Sequence, residues 1–173
     1  MIWGGPFVLL LTSTVVNRCK SHVVLTFPPA RYPPLDFLDS STTVGPCGVP
    51  KASYLHYTTL VAGDQYNITW RMNYVTEGGF KIAILDENGL EVKRLTPDNR
   101  SSNFVGQLTP LQQHFHVTVP DGFTCYGCAI QLEREVKEWG NKRKFRSCAD
   151  VNIVKRFDDK APIRFTRMDS GMA

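Results

Sequence analysis

An all-β chain is predicted, a two-sheet sandwich of immunoglobulin-like or fibronectin-III-like type with long loops and disulfide staples. Three observations predict it. Apolar residues alternate with polar ones in short runs, Asp, Gly, Pro and Asn cluster between those runs, and no stretch carries the 3.6-residue periodicity of an amphipathic helix. Four cysteines lie beyond residue 21, enough for two disulfides.

The elements follow in chain order. His22 to Phe27 reads as a short strand stopped by Pro28-Pro29. The stretch through Arg31, Pro33, Pro34 and Pro46 to Pro50 reads as a long irregular loop, because proline removes ladder donors, and regular structure begins near His56. Tyr66 to Tyr74 places Ile68, Trp70 and Met72 on one face and Asn67, Thr69, Arg71 and Asn73 on the other. Gly79 to Asp86 carries Phe80, Ile82 and Ile84 in phase, and Asp86-Glu87-Asn88-Gly89 turns the chain into a strand from Leu90 to Leu95. His114 to Val119 turns Phe115, Val117 and Val119 inward and both histidines outward, and Pro120-Asp121-Gly122 ends it. Cys128 to Val136 and Phe145 to Val154 are the last strands, joined across Trp139-Gly140-Asn141-Lys142. In the final strand Phe145, Ala149, Val151 and Ile153 share a face, which predicts a half-buried strand with polar residues outside.

The N-terminus reads as a leader. Residues 6–16, Pro-Phe-Val-Leu-Leu-Leu-Thr-Ser-Thr-Val-Val, are apolar, and Cys19 and Ser21 supply small side chains at −3 and −1 of a cut before His22. Such a run is too short to cross roughly 30 Å of hydrocarbon as an ordinary helix, so no stable membrane insertion is expected. The first five residues, Met-Ile-Trp-Gly-Gly, lack the positive charge usual in leaders, and the alternative reading is a buried first strand. The expected organisation is a signal peptide over 1–21, one sandwich domain over 22–154 and a charged C-terminal tail over 155–173, in a secreted monomer. The cut removes Arg18 and Lys20 and lowers the formal charge from +4 to +2, too weak a balance to argue for nucleic acid. The run Lys142-Arg143-Lys144 reads as a solvated hairpin tip.

The cut also discards Cys19 and leaves Cys47, Cys125, Cys128 and Cys148. The Cys125-Tyr126-Gly127-Cys128 run precedes a strand rather than opening a helix, unlike a thioredoxin-type motif, and Cys47 and Cys148 do not form the second close pair of a zinc site. Structural disulfides are therefore expected, with the pairing open. Asn67-Ile68-Thr69 and Asn99-Arg100-Ser101 are sequons that mark Asn67 and Asn99 as glycosylation candidates.

A histidine at a free N-terminus offers two copper-binding nitrogens, the α-amine and one ring nitrogen. His22 is the candidate. His56, and His114 with His116 at i and i+2 on one strand face, are further candidate ligands. No Ser-His-Asp arrangement, phosphate-cradling glycine loop or paired acidic motif supports a hydrolase.

Several motifs together resemble a known family. His22-Val-Val-Leu-Thr-Phe-Pro-Pro-Ala-Arg31 resembles the mature N-terminus of lytic polysaccharide monooxygenases and of chitin-binding type-4 domains, and Pro46-Cys47-Gly48 resembles their early cysteine-glycine loop. Val119-Pro-Asp-Gly-Phe-Thr-Cys125-Tyr-Gly-Cys128-Ala-Ile-Gln131, followed by Phe145-Arg-Ser-Cys148-Ala-Asp-Val151, is similar to the animal-type branch. The resemblance implies a histidine brace, in which the amine and ring of the first residue and the ring of a second histidine hold copper for oxidation of chitin, cellulose or a related polysaccharide. It implies His22 as the first brace residue and Phe145 at the non-ligating axial position. Where the family carries the second histidine, this chain reads Val75-Thr76-Glu77-Gly78-Gly79-Phe80, with Glu77 at or beside the expected place. A carboxylate is a poorer copper ligand than imidazole. The expectation is a secreted module that is non-catalytic or weakly active and binds copper, polysaccharide or both, with an active copper-dependent monooxygenase as the alternative. Tyr32, Tyr54 and Tyr57 are the loop aromatics available to a glycan.

Overall fold

In the computed structural model, which describes residues 23–31, 44–48, 50–51, 56–72, 77–98, 103–106, 112–138 and 141–157, eight strands form two sheets and no helix is present. The strands are β1 (Val23–Phe27), β2 (Thr58–Val61), β3 (Gln65–Met72), β4 (Phe80–Leu85), β5 (Glu91–Arg94), β6 (His114–Thr118), β7 (Cys125–Glu138) and β8 (Asn141–Val154). One sheet has the order β1-β3-β6 and the other β2-β8-β7-β4-β5. All pairings are antiparallel except β2 with β8, which run parallel with Thr58 opposite Val151 and Val61 opposite Val154.

Alternation builds the sandwich. Val23, Leu25, Ile68, Trp70 and Val117 of the smaller sheet share one buried core with Leu60, Phe80, Ile82, Ile84, Ile130, Leu132, Val151 and Ile153 of the larger one. Burying each large aliphatic side chain stabilises the fold by about 1.5–3 kcal/mol. The inward phases expected for the strands at Ile68, Ile82 and Val117 are those observed, so the all-β, immunoglobulin-like sandwich stands. Met72 is only half-buried at the end of β3.

Two details differ from the sequence expectation. The last hairpin is longer: β7 and β8 stay paired out to Glu138 opposite Asn141, so Lys142, Arg143 and Lys144 belong to β8 and are not a loop tip. Cross-strand charge extends the ladder, because Glu133 on β7 accepts from Arg146 at 2.8 Å and meets Lys144 at 3.2 Å. Secondly, β8 is buried on both faces near its middle, since Cys148 and Asp150 are each 3% exposed. Cys47 and Arg31 cover that outer face, and Cys47, Leu85, Ala129 and Cys148 form a small second core there. The described residues after Phe27 are irregular as expected, and they are tied down at Arg31, whose N–H donates to the Cys148 carbonyl at 2.7 Å.

Cysteine pairing, open in the sequence, is Cys47 with Cys148, their Cα atoms 5.3 Å apart, and Cys125 with Cys128. The expected leader over 1–21 and residues 158–173 of the expected tail lie outside the described residues. Lys155, Arg156 and Phe157 are exposed, and Arg156 pairs with Asp64. No helix among the described residues is long and apolar enough to cross a membrane.

Candidate functional site

The end of the sandwich at which β1 begins holds most of the candidate residues. Ala62 N–H donates to the Val154 carbonyl just before β3 begins, and Trp70 further along β3 packs on Phe80 in the row of Phe145, so β3 runs against β8. β1 is antiparallel to β3 and tied to β8 by Leu25 N–H donating to the Ser147 hydroxyl at 3.0 Å, so it runs in the same sense as β8. Val23 therefore starts at the end of β8 where Phe145 stands, opposite Met72 on its other side. His22, which precedes Val23, lies outside the described residues.

Phe145 is 7% exposed and faces the core. Its register partner on β7 is Arg134, whose other neighbour is Phe80 on β4, giving a row Phe80, Arg134, Phe145 across three strands. Phe80 packs tilted at 51° against Trp70, with ring centres 4.8 Å apart, and meets Phe115 edge-on at 5.4 Å. Arg134 is 1% exposed, and burial lowers its pKa by removing water from the charged guanidinium. The sequence reading missed Arg134. The signal was present, since it occupies the inward phase of Cys128, Ile130, Leu132 and Val136, where a cation is out of place.

Glu77 is exposed. Behind it Gly78 has φ +133°, and a Cβ there would collide with the Glu135 carbonyl, so only glycine lets the chain lie this close to β7. Glu135 N–H then donates to the Gly79 carbonyl at 2.8 Å, which fixes Glu77 beside the outer half of the β7–β8 hairpin.

The remaining histidines fall elsewhere. His56 is exposed two residues before β2, at the edge of the larger sheet. His114 and His116 are exposed on the outer face of β6, their ring centroids 6.2 Å apart. The structure brings these two rings together, but β3 separates their strand from β1. Among the described residues no group of three or more His, Cys, Asp or Glu side chains could hold a metal ion.

Of the loop aromatics, Tyr57 is exposed with the Lys51 ammonium 5.7 Å from its ring centre, while Tyr32 and Tyr54 lie outside the described residues. Tyr126, not singled out in the sequence, is 72% exposed between the two cysteines of its disulfide. The sequon residue Asn67 is exposed on β3, and Asn99 lies outside the described residues. At the opposite end, a shallow cleft of about 340 Å³ lies between Ala62, Asp121, Gly122 and Lys155 to Phe157.

Comparison with known proteins gives no match to a protein-family model and none to a curated sequence. Similar solved structures include the catalytic domain of a lytic polysaccharide monooxygenase from Listeria monocytogenes, at 15% identity over 77% of this chain and 99% of that one, with a TM-score of 0.48. A lytic polysaccharide monooxygenase from Jonesia denitrificans matches at 13% identity over 77% of this chain and 100% of that one, TM-score 0.39. One from Streptomyces lividans matches at 18% identity over 56% and 59%, TM-score 0.34. The fold itself rests on the two sheets and their shared core, independently of these likenesses.

Proposed function

We propose that this chain is a secreted, monooxygenase-like β-sandwich, non-catalytic or weakly active, that binds copper through its mature N-terminus and associates with a chitin-like polysaccharide. The observation that carries the reading is the position of β1, which opens one residue after His22 at the end of the sandwich where Phe145 stands. The α-amine and ring of His22 would be the nitrogen ligands, Glu77 would stand for the second brace imidazole of the family, and Phe145 would pack beside the site without binding. Bound copper supplies activation of oxygen or peroxide for hydrogen abstraction from a sugar carbon. A carboxylate in place of an imidazole weakens copper binding and shifts its redox poise, which supports the non-catalytic reading over the active one. Removal of residues 1–21 creates the free amine on which the site depends.

The test is calorimetric titration of Cu(II) into the chain beginning at His22 and into one carrying a single extra N-terminal residue. Tighter binding to the first is expected, and equal affinities overturn the reading. Incubation with chitin or cellulose and a reductant should yield little or no oxidised oligosaccharide by mass spectrometry, whereas abundant oxidised product establishes the active alternative.

A further inference from the structure

We propose that His114 and His116 form a second, self-contained site for one borderline divalent ion, Cu(II) above all, on the outer face of the three-stranded sheet. The period of two in a strand puts both rings on the same side of β6 while Phe115 and Val117 turn to the core. Both are exposed, and among the described residues neither ring is held by a hydrogen bond or an ion pair. The centroids are 6.2 Å apart with the planes at 75°. With metal–nitrogen bonds of about 2 Å on each side, one ion spans rings at this separation by side-chain rotation alone.

The neighbouring strand supplies the oxygen chemistry. Asn67 lies opposite His116 and Thr69 opposite His114. Directly opposed residues have Cβ atoms about 5 Å apart, which brings the exposed Asn67 amide oxygen to the edge of the site. The Thr69 hydroxyl is already engaged with that of Thr26 at 2.7 Å. Two imidazole nitrogens, one amide oxygen and water make an N,O set that suits tetragonal Cu(II), the tightest-binding ion of the first-row divalent series. The site does not depend on His22. β6 and β1 lie on opposite edges of the sheet with β3 between them, about 10 Å apart, so no single ion bridges the two.

The test uses the chain with one residue retained before position 22 and the substitution His22→Gln, so that neither the amine nor the ring of an N-terminal histidine contributes, and titrates copper(II) chloride by calorimetry with electron paramagnetic resonance of the bound ion. One equivalent with nitrogen coupling is expected. His114→Gln and His116→Gln should each weaken it tenfold or more, while His56→Gln leaves it within twofold and circular dichroism confirms that all three variants are folded. Affinity within twofold of the parent in both strand variants overturns the proposal, as does a spectrum without nitrogen coupling. Failure of the N-terminal site would change neither result.

Discussion

Arg31 grips Asp150 with both arms of its guanidinium: Nε donates to Oδ2 at 2.9 Å and Nη2 to Oδ1 at 2.8 Å, with the side chains only 8% and 2% exposed. The pair closes the outer face of the larger sheet beside the Cys47–Cys148 bond. A planar, bidentate match is what Arg offers and Lys does not.

Breaking one partner of this pair should cost more than removing both. Asp150→Asn or Arg31→Met each leaves a buried, uncompensated group, and loss of about 3–5 kcal/mol is expected in urea unfolding. The double variant should recover much of that loss, and a double variant no more stable than the singles would show that packing, not pairing, is at stake.

The two disulfides should differ in weight. Cys47 and Cys148 are separated by 101 residues and Cys125 and Cys128 by three. Loop-closure entropy assigns the first about 4–5 kcal/mol and the second about 2 kcal/mol. Replacing each pair by alanine and measuring the midpoint of thermal unfolding should give the larger drop for Cys47/Cys148.

Acid should weaken the β4–β5 edge through Glu91. Burial pushes its carboxyl up, but the hydrogen bond and charge of Lys81, 2.7 Å away, with Arg94 beyond, outweigh that and hold it below its ordinary value of 4.5. A depressed folded value means stability is present above the unfolded pKa and is lost as pH falls through the folded one. Stability of Lys81→Met should therefore fall less between pH 5 and pH 2 (about the range that spans both values) than that of the parent. Parallel acid limbs in the two proteins would remove this pair from the account.

Glu77 is the residue to change at the proposed N-terminal copper site. It is exposed, so Glu77→Ala should alter unfolding by less than about 0.5 kcal/mol. Cu(II) affinity of the chain beginning at His22 should fall several-fold in that variant and rise in Glu77→His, which restores an imidazole. Identical affinities in all three would separate Glu77 from the metal.

Local pattern made most strands legible. Ile68 with Trp70, Ile82 with Ile84 and Val117 with Val119 alternate because one face of each strand meets the core, and this periodicity survives without tertiary information. What alternation does not encode is partnership across the chain. The parallel contact of β2 with β8 joins segments about ninety residues apart, and the burial of Cys148 and Asp150 depends on Arg31 and Cys47 arriving from the far end of the sequence. The run Lys142 to Lys144 reads as a loop tip because charges in isolation look like loop residues, whereas Lys144 and Arg146 are paired across the strands with Glu133. At the candidate site, the shared face of His114 and His116 followed from parity. Arg134 was not singled out, although it shares the inward phase of Ile130, Leu132 and Val136.

The place of β8 between β2 and β7 has a consequence for how the protein is born. A ribosome adding about 5–20 residues per second needs on the order of 5–20 seconds to pass from Cys47 to Cys148. For that interval β2 has no neighbour to pair with and Cys47 no proper partner, while Cys125 and Cys128 emerge first and are close enough to react with it. Correct oxidation of Cys47 thus hinges on β8, the last strand among the described residues, and a pause or truncation before residue 148 would favour a misjoined Cys47.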